Sequence, residues 1–165
     1  MNNLKISIIT ICFNAEKTIV DTVKSVVEQS YPNIEYIIVD GASKDNTLTV
    51  IKPFADKIAK IISEPDKGLY DALNKGLKAA TGDIIGLLHS DDFYANKGVI
   101  EHLIKLFNEH SDLDCISSSI NIFKDNAFEK PYRVYNATTF KPWQFGLGMQ
   151  PPHPGFFLKE PYFLK

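Results

Sequence analysis

The run His89-Ser90-Asp91-Asp92 sets two carboxylates side by side just after an apolar segment over residues 83–88. Adjacent carboxylates at a strand end suit a hard divalent cation, which takes oxygen ligands and shares its remaining positions with phosphate oxygens. Such an ion would neutralise a diphosphate. The competing reading is a solvated acidic turn that caps the next helix. A second constellation, Val39-Asp40-Gly41-Ala42-Ser43-Lys44-Asp45-Asn46-Thr47, ends a strand in Asp and passes through Gly into a capped helix. A carboxylate there can accept hydrogen bonds from a nucleobase imide or from ribose hydroxyls, and the glycine admits close approach of the backbone. An ordinary N-cap loop would look the same. The third, Glu64 to Gly76 (EPDKGLYDALNKG), puts Asp66, Asp71 and Asn74 near a helix start that has no packing need for them. Asp66 also suits the helix N-terminus electrostatically.

These residues need a scaffold that gathers strand ends. Short β-branched runs at 5–11, 34–40, 58–63, 83–89 and 115–122 alternate with segments of helical period, which predicts a parallel sheet with crossover helices. Ile19, Val23, Val26 and Val27 form one helical face, and Tyr31-Pro32 ends it. A shorter helix runs from Thr47 to about Phe54, with Asp45 or Asn46 as its cap and Pro53 limiting it. Tyr70, Leu73, Leu77 and Ala80 are expected to face inward from a third helix, and Ile100, Leu103, Ile104 and Phe107 from a fourth. The expected order is βαβαβαβαβ. In an open sheet of this kind a ligand lies outside the carboxyl ends of the strands, where Asn14, Asp40, Asp66, Asp91 and Asp92 all fall. We divide the chain into an α/β ligand-binding region over 1–122 and a loop-rich, aromatic and Pro-rich region over 123–165, within one domain.

A length of 165 residues with 44% hydrophobic content, 23% charged residues and a formal charge of −2 describes an ordinary folded domain, neither disordered nor dependent on staples. A pI near 6.1 gives no broad positive field, so nucleic acid is not an expected partner. Cys12 and Cys115 lie in apolar, strand-like runs without CxxC spacing and are expected to be buried small hydrophobes. No signal peptide is visible and no apolar stretch approaches the ~20 residues of a membrane span, so the expected location is the cytoplasm.

Four ordered segments, SIITICFNAEKTI, VDGASKDNT, EPDKGLYDALNKGLKAATGDIIGLLHSDD and PPHPGFF, resemble the nucleotide-binding half of family 2 glycosyltransferases, inverting enzymes of GT-A fold. The resemblance spans nearly the whole chain. It implies a Rossmann-like, three-layer α/β/α architecture with a mostly parallel sheet. It also implies transfer of a sugar from a nucleotide-diphosphate donor, a UDP-sugar foremost, to an acceptor hydroxyl in glycan or polysaccharide synthesis. By the same resemblance Asp40 contacts base or ribose, Asp91 and Asp66 help hold the sugar-nucleotide, Asp92 binds Mn2+ or Mg2+, and the backbone near Phe13 and Asn14 lines the base pocket. His153 matches the family's PPHP segment near the acceptor side, with a plain loop histidine as the other reading. Two departures stand out: relatives often carry a second Asp where this chain has Gly41, and an Arg where it has Leu73.

The family's acidic base motif does not map onto the chain, so the base is expected beyond Lys165 and the chain is expected to be a shortened form. The implied acceptors are glycans or lipid-linked sugars, which leaves room for peripheral association with the inner face of a membrane and for a homodimer. A sugar-1-phosphate nucleotidyltransferase would need a Gly-rich phosphate loop after the first strand, yet no glycine precedes Gly41, and no GxxxxGK run is present. The remaining alternative is a non-catalytic nucleotide-binding module.

Overall fold

The computed structural model describes residues 3–124, 128–149, 151 and 153–160. Its strands are β1 (Ile6–Cys12), β2 (Ile34–Asp40), β3 (Lys60–Ser63), β4 (Ile84–Leu87), β5 (Cys115–Ser117), β6 (Ile120–Ile122), β7 (Arg133–Tyr135) and β8 (Phe156–Lys159). The helices are α1 (Ile19–Val27), α2 (Thr47–Ile51), α3 (Leu69–Ala79) and α4 (Val99–Glu109). A 3-10 turn, Lys52–Lys57, continues α2 past Pro53, because proline fits a first turn but not a helix interior.

The main sheet has the order β3-β2-β1-β4-β8-β5. Strands β1 to β4 are mutually parallel, and β8 runs antiparallel to both of its neighbours. All seven residues of β1 are buried, as a central strand covered on both faces requires. Alternation then splits the core in two. Ile6, Ile8, Ile38 and Phe157 face Val23 and Val26 of α1 and Ile100, Leu103 and Phe107 of α4. Ile9, Ile11, Ile37, Val39 and Ile85 face α3, through Ala72, Leu73 and Leu77. The layers are therefore α/β/α, as expected.

Three expectations are corrected. The apolar run over 115–122 is two strands: β5 joins the main sheet, while β6 pairs with β7 in a separate two-stranded sheet. The break falls at Ser118-Ser119, within the three serines that interrupt the isoleucines of this segment. Tyr70 points outward at 72% exposure; the buried face of α3 is Ala72 and Gly76, small residues that let the helix lie close to Ile9 and Val39. Cys115 is exposed, since β5 is an edge strand; Cys12 is buried as expected. No described helix is long and apolar enough to cross a membrane.

Candidate active site

Strand order locates the crevice. From β1 the chain winds outward through β2 to β3, then returns to place β4 on the other side of β1. The strand order reverses between β1 and β4, so the carboxyl ends of these two parallel neighbours, with the loops that follow them, lie side by side. Phe13 and Asn14 follow β1, and His89-Ser90-Asp91-Asp92 follows β4, so both groups flank that switch point. The antiparallel β8 begins at the same edge and brings the turn His153–Gly155 there, setting the rings of His89 and His153 edge-on with centroids 6.2 Å apart.

The acidic pair sits on a tight turn in which the Asp92 amide donates to the His89 carbonyl at 3.0 Å. It does not cap α4, which starts at Val99 behind Gly98, whose amide donates to the Asn96 side chain instead. Asp91 is exposed and Asp92 half-buried. Burial, then the neighbouring charge of Asp91, pushes the Asp92 carboxyl up to about 6. Among the described residues no lysine or arginine pairs with either acid. The donor set therefore fits a hard cation: it is all oxygen, no described lysine or arginine offsets its charge, and it follows the carboxyl end of β4. No group of three or more His, Cys, Asp or Glu that could hold a metal ion gathers among the described residues.

On the other side Asp40 is fully buried at the end of β2. Its oxygens accept from the Ser43 hydroxyl, from the Ser43 amide at 3.1 Å, from the Ser63 hydroxyl at 2.7 Å and, weakly, from the Cys12 thiol at 3.8 Å. Burial, with the Asp40 charge second, pushes that thiol up to about 12, so it stays protonated and donates. The Asp40 side chain is thus engaged inside the protein.

Above it the surface groups are Phe13, 60% exposed, and Asp66. Both lie against Gly41, where a Cβ would stand 3.3 Å from the Phe13 ring and 2.5 Å from Asp66 Oδ2. Gly41 therefore leaves Asp66 its place. Asp66 Oδ1 also accepts from the Gly68 amide at 2.8 Å, ordering the turn into α3, where Gly68 holds φ +108°. Leu73 brings no cation to this edge; it lines an apolar hollow of about 160 Å3 with Leu77, Ile85, Leu87, Phe156 and Leu158. Asn14 adopts φ 51°, with its amide donating to Ser43 Oγ at 2.8 Å and its side chain accepting from the Lys44 amide at 2.9 Å.

Sequence reasoning passed over Ser43 and Ser63. The signal for Ser43 is a hydroxyl three residues after a strand-end Asp, the spacing of a local turn bond. Ser63 has none, since β3 pairs with β2 only in the fold.

The Glycosyl transferase family 2 model matches residues 7–163. Among curated relatives, the Escherichia coli UDP-Glc:alpha-D-GlcNAc-diphosphoundecaprenol beta-1,3-glucosyltransferase WfgD is 40% identical over 99 residues, 59% of this chain and 39% of its own. Among solved structures, S. aureus TarS 1-349 in complex with UDP-GlcNAc superposes with a TM-score of 0.62 at 26% identity, over 78% of this chain and 37% of that one. The Pyrobaculum calidifontis mannosyltransferase PcManGT, in complex with GDP-Man and Mn2+, gives 0.65 at 22% identity, over 74% and 37%. The fold is the GT-A architecture that the sequence leads one to expect. The chain spans under half the length of the curated relatives it matches.

Proposed function

The chain belongs to glycosyl transferase family 2, and from that premise we propose that it forms the donor-binding region of an inverting transferase that moves a sugar from a UDP-sugar to a glycan or lipid-linked hydroxyl. The observation that carries this reading is the Asp91–Asp92 pair after β4, beside the loop after β1 that carries Phe13 and Asn14, with no described lysine or arginine paired to it. Support for uridine over other bases comes from the UDP-Glc in WfgD's name and the UDP-GlcNAc bound to TarS.

In this reading Phe13 offers its exposed ring to the base and Asp66 the free edge of its carboxylate, while Asp40 supports the loop beneath. Asp91 orients the donor's sugar and ribose hydroxyls. Asp92, aided by Asp91, would hold Mn2+ or Mg2+. Such an ion supplies Lewis acidity that stabilises the charge developing on the departing diphosphate. The acceptor oxygen forms its bond to the anomeric carbon from the face opposite the diphosphate. The bond to the diphosphate oxygen breaks with its electron pair, and the hydroxyl proton passes to a base. The acceptor and that base lie outside the donor-side residues, with His153 on their side of the edge. A lipid-linked acceptor would place the protein at the cytoplasmic face of a membrane.

Calorimetric titration with UDP, with and without Mn2+, tests the reading. Wild type is expected to bind more tightly with the ion, and Asp92→Asn to lose that enhancement, about tenfold or more, while keeping its fold. Equal affinities in wild type and variant, with Mn2+ making no difference, would sink it.

A further inference from the structure

Resting on the reading that this crevice receives a nucleoside diphosphate, we infer that Ser43 is the positioning residue of the base pocket, relaying the buried carboxylate of Asp40 to the backbone that presents Phe13. The Ser43 hydroxyl has one proton and it goes to Asp40 Oδ1; its lone pair accepts the Asn14 amide at 2.8 Å. The chain of donors thus runs Asn14 N–H to Ser43 O–H to a carboxylate with no solvent contact. A hydroxyl whose proton is committed to a charge is a better acceptor at its oxygen, so the two bonds strengthen one another.

What the relay holds is a strained conformation. Asn14 at φ 51° and Ala42 at φ 60° both lie in the left-handed region, which asparagine visits more readily than other residues with a Cβ and which is unfavourable for alanine. Surrounding bonds must impose it. Besides Ser43, the loop after β2 grips the loop after β1 through the Lys44 amide on Asn14 Oδ1 at 2.9 Å and the Ala15 amide on Thr47 Oγ1 at 2.7 Å. The Glu16 amide on Asp45 Oδ2 at 3.1 Å and the Asn46 amide on Glu16 Oε2 at 2.8 Å complete the grip. Of these contacts only Ser43 reaches the buried charge. Its position fixes Asn14, and Asn14 fixes the ring of the residue before it over Gly41.

Ser63 provides the control. It gives Asp40 a hydroxyl bond of 2.7 Å but, among the described residues, makes no hydrogen bond to the loop after β1. The experiment compares wild type, Ser43→Ala, Ser43→Thr and Ser63→Ala by UDP titration with Mn2+, by thermal unfolding and by amide exchange at Asn14. Ser43→Ala is expected to weaken UDP binding about tenfold, the net worth of roughly one hydrogen bond, and to speed exchange at Asn14. Ser43→Thr, which keeps the hydroxyl, should restore both, and Ser63→Ala should lower the unfolding midpoint yet bind UDP within about twofold of wild type. Wild-type affinity in Ser43→Ala, or an equal loss in Ser63→Ala, overturns the relay. If wild type itself binds no UDP, the donor-binding reading fails and exchange at Asn14 still decides the relay. Should Ser43→Ala not fold, Ser43→Cys, with its weaker donor, carries the same comparison.

Discussion

Asp92 shows that the residue best suited to hold a cation is a liability without one. Its carboxyl is pushed up to about 6 by burial and by the charge of Asp91, whereas an unfolded chain releases that proton near 3.9. Between those values the folded state binds the extra proton, so this side chain makes stability fall as pH rises through the window, and its cost is complete above about 6. Asp92→Asn should therefore stabilise the metal-free protein at pH 7, by about 1–2 kcal/mol once the two-unit rise is discounted for the solvent that reaches a half-exposed group. Urea unfolding of both forms from about pH 4 to pH 7 measures it: the gap between them should open with rising pH. A gap that stays constant would mean that the acid meets no electrostatic cost. The same substitution that removes cation binding would then raise stability, the pattern expected where a fold bears strain for function. The sequence announces this pair because its members are adjacent. It conceals the burial of Asp40, which depends on Ser63 and Cys12 arriving from other strands.

Among the elements, the amino ends of the strands carry the counterpart, an acid that is fully satisfied. Glu35, near the start of β2, accepts from Lys5 Nζ at 2.8 Å, from the Ser7 hydroxyl at 2.5 Å, and from the Thr81 hydroxyl and amide, each at 2.7 Å. Burial alone would raise its carboxyl, but these donors outweigh it and hold the group down at about 2. They join β1, β2 and the α3–β4 connection, where a Cβ on Gly82 would meet the Ser7 backbone at 2.7 Å. A depressed acid contributes its full stabilisation above the unfolded value of about 4.3 and loses it as pH falls toward 2. Glu35→Gln, which keeps the shape, should cost about 1–2 kcal/mol at pH 7. Acid titration of the unfolding midpoint checks this: the two proteins should converge by about pH 2, and convergence already above pH 4 would contradict the assignment. The strands and helices this clamp unites were readable one by one, because β-branched runs and helical period are local. The clamp was not, since Lys5, Glu35 and Thr81 meet only when the sheet forms.

The whole molecule depends on a strand that arrives late. β8 falls in the region over 123–165 that the sequence marks as loop-rich, and its seat was not readable, because sequence order suggests β5 beside β4 and the fold inserts β8 between them. Gly86 explains the seat. It lies opposite Phe157 in the β4–β8 ladder, and a Cβ there would stand 2.6 Å from the Phe157 ring. The ring occupies the place a side chain would take, and at 1% exposure it joins the core beneath α4. β5 reaches the main sheet only through β8, pairing Ile116 with Phe157. The turn carrying His153 leads directly into this strand, so the ring also fixes where that imidazole meets His89. Phe157→Ala should cost about 3–5 kcal/mol, the toll of emptying an aromatic site in a core. It should also uncouple the molecule unevenly: amides of β5 and β8 should lose protection from hydrogen exchange while those of β1 and β2, paired along seven positions, keep theirs. Uniform loss across all six strands would show instead that the sheet unfolds as one unit. In that case the crevice between β1 and β4 could not form before the last strand is in place, and donor binding would depend on residue 157 as strictly as on the acids themselves.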